Sequence, residues 1–247
     1  MVFGIIAAGE GSRLAAEGIT VAKPLVKVGG TPLIDRLLHV FMNEGAERIA
    51  VICNDKMADV QHHLEVVQRE GLDGQNIPLD FIVRSTPSSM HSLNVLRPLL
   101  GNGNFVLTTV DTIFREDEFH RYVEAFRQAV DNGQDGLMGV TDYVDDEKPL
   151  WVGTDAGMRV TGYYDMADAT GGAPRPTYIS AGIYGLTESC WATLDHCLER
   201  GEHRMRNFQR ALVGDGRQLE AFAFTKVLDV DHASDITKAE ALIQEGV

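Results

Sequence analysis

The chain has 247 residues and a formal net charge of −14, which argues against a nucleic-acid partner, because phosphate-backbone binding relies on clustered Lys and Arg. Hydrophobic residues make up 44% and charged residues 23%, a balance that buries a full core and excludes extended disorder. No apolar run is long enough to span a bilayer and no cleavable leader opens the chain, so no membrane role is expected.

The first predicted element, Val2 to Ala8, is a continuous apolar run broken by Gly9-Glu10-Gly11-Ser12-Arg13-Leu14. Such a run reads as a buried parallel strand delivering a tight turn. Two glycines let backbone amides approach phosphate oxygens, and Arg13 adds a planar cationic fork, so the turn reads as a phosphate cradle. A dinucleotide turn would need a third glycine near Leu14, and a P-loop would need Gly-Lys-Ser or Gly-Lys-Thr; neither is present. Pro24 keeps Lys23 out of a helix, leaving it on a loop from which it either points into the cradle or lies in solvent. Thr31-Pro32 predicts a helix start, with Thr as N-cap and Leu33, Ile34, Leu37, Leu38 and Phe41 on the apolar face.

A second strand, Arg48 to Cys53, a helix from about Met57 through Val67 and a third strand, Phe81 to Val83, continue the alternation. This pattern predicts parallel pairing with ligand loops at the strand C-termini. The stretch Arg84 to Leu93 is rich in hydroxyls and offers donors and acceptors to a planar base, or alternatively a plain helix cap. The fourth strand, Phe105 to Val110, ends on Asp111, a carboxylate at a strand tip that is costly to desolvate unless it meets a cation. A helix near Glu116 to Val130 follows. After Gly136 the texture changes to shorter strands at 136–141, 151–153, 159–164 and 178–186. Between them Thr170 to Pro176 reads as a mobile loop over an acceptor site. Helices near 188–199 and 206–212, a strand at 219–224 and a helix from Ala233 close the chain. Cys53, Cys190 and Cys197 have no metal or disulfide spacing, so a reducing, cytoplasmic setting is expected.

Taken together, Ala7-Ala8-Gly9-Glu10-Gly11-Ser12-Arg13-Leu14 and Lys23-Pro24-Leu25 resemble the signature of the nucleotidyltransferases that make nucleoside-diphosphate sugars and related activated alcohols. Ser88-Ser89-Met90-His91-Ser92-Leu93 occupies the place of their base-binding stretch, and Ser180-Ala181-Gly182-Ile183-Tyr184 that of the strand beside the sugar. Asp229-Val230-Asp231-His232 resembles their closing motif. The resemblance implies a Rossmann-like α/β/α sandwich with a mostly parallel central sheet and a small β extension over the acceptor site. It further implies a single domain, 1–247, with a nucleotide-binding half (1–135) and an acceptor-binding half (136–247). By position, Ala7, Ala8, Gly9, Gly11, Ser12, Arg13, Ser88 and Ser89 would bind the nucleotide, and Ser180, Ala181 and Gly182 the acceptor. Asp111 and Asp231 would hold Mg2+, with Asp229 the second choice, while Arg13 and Lys23 would be catalytic.

The implied reaction is transfer of a nucleoside monophosphate from an NTP to a phosphorylated acceptor, a sugar-1-phosphate first and an alcohol phosphate such as phosphocholine second. A non-catalytic nucleotide-sugar sensor and a nicotinamide oxidoreductase using Asp55 are the rival classes. The pattern departs from the family at Ala22 and Thr31, which removes one lysine and a proline. Glu147-Lys148-Pro149 sits too early to match the sugar-phosphate motif, so Lys148 is read as a surface-loop lysine.

Overall fold

A computed structural model of the chain describes residues 1–168 and 174–244. Its elements in chain order begin β1 (Val2–Ala7), α1 (Ser12–Ala16), a 3-10 turn (Lys23–Leu25), β2 (Lys27–Val28), β3 (Thr31–Pro32), α2 (Leu33–Asn43) and β4 (Arg48–Cys53). They continue with α3 (Ala58–Glu70), β5 (Leu79–Val83), α4 (Ser89–Leu100), β6 (Phe105–Thr109), β7 (Thr112–Ile113), α5 (Glu116–Asp131) and β8 (Gly136–Thr141). The rest are β9 (Trp151–Thr154), β10 (Val160–Tyr164), β11 (Tyr178–Leu186), α6 (Cys190–Glu199), α7 (Met205–Gly214), β12 (Leu219–Phe224), β13 (Leu228–Asp229) and α8 (Ala233–Gln244).

The central sheet runs β5-β4-β1-β6-β11-β8-β12. β5, β4, β1 and β6 are mutually parallel. β11 runs antiparallel to both β6 and β8, and β12 is parallel to β8, so all but β11 point the same way. This is the mostly parallel Rossmann-like sheet expected. The hairpin β9–β10 adds beside the first residues of β11, where Tyr178 pairs with Val152.

Alternation along β1 sorts the core into two layers. Phe3, Ile5 and Ala7 pack with α2, α3, α5 and α8, whereas Ile6 packs with α4, α6 and α7. Gly4 lies on the second face because a Cβ there would meet Leu107 Cδ1 at 2.9 Å and Leu100 Cδ2 at 3.1 Å. Helix α4 therefore rests directly on the strand. The sheet positions the site at its C-terminal edge, where β1, β4 and β6 release their loops.

One expectation changes. Thr31-Pro32 does not open the helix; it is the second strand of a hairpin, pairing with Lys27–Val28 around Gly29 and Gly30, both at positive φ (59° and 88°). The two glycines supply the turn that twisted hairpins favour, and this outweighs the capping preference, so α2 begins at Leu33. Within β11, pairing jumps from Ser180–Val140 to Tyr184–Met138, a bulge centred on Gly182 at φ 71°. The bulge bends β11 away from β9 and onto β6. Of the predicted loop from Thr170 to Pro176, residues 170–173 lie outside the described residues.

Candidate active site

The cradle forms as its glycines require. Gly11 caps α1 in the left-handed region (φ 61°, ψ 31°), and a Cβ there would press Lys23 Cβ at 3.1 Å. Gly9 is different: no atom lies within 4 Å of where its Cβ would be, so that face opens onto the cleft. Asn54, directly after β4, donates to the Ala8 carbonyl at 3.2 Å and accepts from Ser85 Oγ at 2.8 Å. It ties the first cradle residue to the next loop, a role missed in the sequence although a buried polar residue at a strand end is its signal.

The cleft beside the cradle holds about 410 Å3. Ala8, Gly9, Gly11, Ser12 and Arg13 line one side, Ser89 and Ser92 another, and Lys23, Asp111 and Asp231 the floor. Two predicted nucleotide contacts are placed elsewhere. The Ala7 side chain is fully buried in the core below the sheet. The Ser88 hydroxyl faces away, paired with His91 Nδ1 at 2.9 Å and accepting the Arg204 backbone N–H at 3.2 Å. Ser92, one helical turn on, lines the cleft in its stead and bonds Thr86 Oγ1 at 2.6 Å.

Lys23 is the organising charge. Its Nζ lies 2.5 Å from Asp111 Oδ2 and 2.6 Å from Asp231 Oδ1, bridging residues 88 and 208 positions away. Burial works against its charge, but the Asp111 and Asp231 carboxylates outweigh burial and raise its pKa above the ordinary lysine value. Arg13 Nη1 reaches the other Asp231 oxygen at 2.6 Å. Asp229 joins the group at the back, where Thr112 Oγ1 donates to it at 3.3 Å. Although its side chain is exposed, partial enclosure by protein and the neighbouring Asp111 and Asp231 charges push its carboxyl well above the usual range. Lys23 and Arg13 thus share the charge of Asp111 and Asp231, with Asp229 alongside. The short pairing of β13 with β7, Asp229 opposite Thr112, brings the C-terminal carboxylates to Asp111.

On the far side of the Arg13–Asp231 pair lies a second cavity of about 220 Å3, lined in part by Tyr143, Ser180, Ala181, Asp229 and Lys238. Ser180 and Ala181 therefore face a space contiguous with the cleft, and Gln209 Nε2 holds the Ser180 hydroxyl at 2.9 Å. Gly182 lies at the bulge, turned toward the Thr112 and Thr109 hydroxyls instead. Lys148 is exposed on its loop, as expected. Asp55 accepts a hydrogen bond from Ser85 Oγ at 2.5 Å.

A glycine cradle, a strand-tip aspartate and a returning C-terminal aspartate at one sheet edge define a nucleotide-handling centre. A sequence model of the nucleotidyl transferase family matches residues 4–246, and the chain belongs to that family. It is 27% identical over 121 residues, 48% of this chain, to the bifunctional IPC transferase and DIPP synthase of Thermococcus kodakarensis. It is also 44% identical over 48 residues, 19% of this chain, to the 2-aminoethylphosphonate cytidylyltransferase of Lancefieldella rimae. The matched stretches span 25% and 20% of those two relatives. In fold it is similar to a putative glucose-1-phosphate thymidylyltransferase from Bacillus anthracis, with a TM-score of 0.81 and 21% identity over 99% of this chain and 96% of that one. Among the described residues, no helix is long and apolar enough to cross a membrane.

Proposed function

We propose that the protein transfers a nucleoside monophosphate from an NTP to a phosphorylated small-molecule acceptor, a sugar-1-phosphate in the first reading, releasing pyrophosphate. The observation that carries this is the Lys23 ammonium bridging Asp111 and Asp231 on the floor of the cradle cleft. A sensor that only held a nucleotide would not need this charge cluster. On this reading the chain is one domain, its nucleotide half (1–135) supplying the cradle and its acceptor half (136–247) supplying Ser180, Ala181 and Asp231.

The acceptor's phosphate oxygen attacks the α-phosphorus in line. A phosphate monoester is already largely dianionic at neutral pH, so no side-chain base is required. Gly9 and Gly11 leave room for the departing pyrophosphate, Arg13 binds its oxygens, and Lys23 offsets charge developing around the α-phosphorus. Asp111 and Asp231, bridged here by Lys23, would offer two carboxylates to a hard divalent cation such as Mg2+ shared with the substrate's phosphate oxygens. Bound there, the cation would neutralise charge on the α-phosphate. The Asp111 and Asp231 carboxylates would hold it, and Lys23 keeps the two in register. Three buried, unpaired cysteines suit the reducing cytoplasm.

A second reading, cytidylyl transfer to an alcohol phosphate or phosphonate, is favoured by the 44% match to a 2-aminoethylphosphonate cytidylyltransferase. The test is pyrophosphate release with magnesium across the nucleoside triphosphates, each paired with sugar-1-phosphates, phosphocholine and 2-aminoethylphosphonate. Release with one pair, lowered about a hundredfold or more in Asp111→Ala, establishes the reaction and names both substrates. Nucleotide binding without release from any pair would leave the sensor.

A further inference from the structure

An open groove of about 910 Å3 lies beyond Glu147, between the β9–β10 hairpin and the start of α7. Its charge balance differs from that of the whole chain. It is lined by five cations, Lys148, Arg175, Arg204, Arg206 and Arg210, against four acids, Glu147, Asp165, Asp168 and Glu202; the whole chain has 22 Lys and Arg against 36 Asp and Glu.

Pairing makes the excess larger. Arg206 Nη1 and Arg210 Nη2 both converge on one oxygen of Asp165, each at 2.7 Å. Arg175 pairs with Asp168 at 3.5 Å. Glu202 pairs with Arg200 at 2.8 Å outside the groove, while Glu147, 3.6 Å from His232 and 4.0 Å from Arg13, shares both with nearer carboxylates and stays the groove's one unmatched acid. One guanidinium at Asp165, the Lys148 ammonium and the Arg204 guanidinium therefore lack a counter-charge among the described residues.

Arg204 adds an independent signal. It sits at φ 75°, ψ 143°, at the edge of a region that only glycine occupies freely, immediately before α7. A large side chain is thus kept at a strained position where it contributes no ion pair to the fold. Its backbone N–H bonds Ser88 Oγ, and the neighbouring His203 ring stacks on His91 at 5.1 Å between centroids. The groove's rim is in this way fixed to the loop that opens the nucleotide cleft. Glu147, 4.0 Å from Arg13, links its other end to the side of the cleft.

We propose that this groove seats a second anionic group on the acceptor, so that the substrate class is a phosphate ester of a sugar acid or hydroxy acid, with Arg204 and Lys148 as specificity-determining residues. The inference rests on the nucleotidyl-transfer reading and narrows its acceptor. The planar guanidinium suits a carboxylate bidentately, and Lys148 supplies a point charge beside it.

The test compares three acceptors of similar size: glycerol 3-phosphate with a neutral tail, 3-phosphoglycerate with a carboxylate and phosphocholine with a cation. With the preferred NTP, kcat/KM for 3-phosphoglycerate should exceed that for glycerol 3-phosphate at least tenfold, the difference lying in KM. Arg204→Gln and Lys148→Gln should each reduce that ratio severalfold, and Arg204→Lys should restore part of it. A preference for phosphocholine, equal use of all three, or a ratio unmoved by the variants overturns the proposal. If 3-phosphoglycerate binds while another acceptor turns over and only alters that turnover, the groove is regulatory and the acceptor assignment is wrong. If nothing turns over, calorimetry with 3-phosphoglycerate and glycerol 3-phosphate separates the two readings. Binding at least tenfold tighter for the carboxylate, lost in Arg204→Gln, keeps the groove while the transfer reading fails; equal binding removes the groove.

Discussion

Replacing Arg204 by glycine should make the protein more stable and a poorer binder of its acceptor. The backbone at φ 75°, ψ 143° costs a residue with a Cβ about 1–3 kcal/mol. Glycine removes that cost but has a more flexible unfolded chain, an opposing effect of about 0.5–1 kcal/mol. The guanidinium has no counter-charge among the described residues, and the backbone N–H can still donate to Ser88 Oγ. The net gain, about 1 kcal/mol at the middle of these ranges, corresponds to a rise in Tm of roughly 2–4 °C for a chain of this size. Arg204→Ala is the control: it also removes the guanidinium but keeps a Cβ, and so keeps the strain. Thermal unfolding and denaturant titration of the three proteins should rank glycine above both alanine and arginine, while both variants raise KM for a carboxylate-bearing acceptor alike. Equal stability of the glycine and alanine forms would refute the strain argument, and a KM raised by glycine alone would refute the role of the guanidinium.

Gly9→Ala should leave stability within about 0.5 kcal/mol of wild type and weaken NTP binding, because its Cβ enters open cleft. Gly11→Ala should cost about 1–2 kcal/mol, from its left-handed backbone and the nearby Lys23 Cβ, and chemical denaturation distinguishes the two. Lys23→Met should destabilise by about 3 kcal/mol, by leaving Asp111 without its cation beside Asp231, which keeps only Arg13, and should slow turnover about a hundredfold. Urea unfolding that shows no loss would refute the bridge. His63 donates to buried Asp35 at 2.5 Å, and this bond raises the imidazole pKa above its ordinary value. Its contribution, about 1–3 kcal/mol, should be full below the unfolded pKa and fade as pH rises through the folded one. His63→Ala should therefore lose more stability at pH 5.5 than at pH 9, and an equal loss at both would argue against a charged pair.

The fold was legible where side-chain pattern alone decides structure. Arg48–Cys53, Gly136–Thr141, Tyr178–Leu186 and Leu219–Phe224 are runs of apolar residues with clear ends, and each forms a strand with those bounds. Thr31-Pro32 was misread because a good helix cap lay directly after two glycines whose turn had the stronger claim on the backbone. The cradle and the three aspartates could be read because they stand in short, ordered motifs. Ser88 could not be told from Ser92 by composition, since the difference is which side of one helical turn faces the cleft. The groove was hidden for another reason: its cations lie at positions 148, 175, 204, 206 and 210. Each alone resembles a solvated surface charge, and no glycine at 204 announces the positive φ.

The remaining question is why the site needs almost the whole length of the chain. β1 supplies the cradle and β6 supplies Asp111, but these carry only one of the carboxylates. The second arrives because Leu228 pairs with Ile113 and the Val230 backbone N–H donates to the Asp111 carbonyl at 3.1 Å. Val230 is fully buried and anchors that segment in the core, so the carboxylates on either side, Asp229 and Asp231, are held toward the cleft. The following helix is tied back to the cradle as well: Glu17, just after α1, accepts from the Ala233 backbone N–H and pairs with His232 Nδ1, both at 2.6 Å. The carboxylate pair is therefore clamped from its own strand and from the phosphate loop. A nucleotide that orders the cradle would, through Glu17 and Arg13, also order Asp231. On the proposed reaction, catalytic geometry would follow from nucleotide binding, while the choice of acceptor would be left to the groove beyond Glu147.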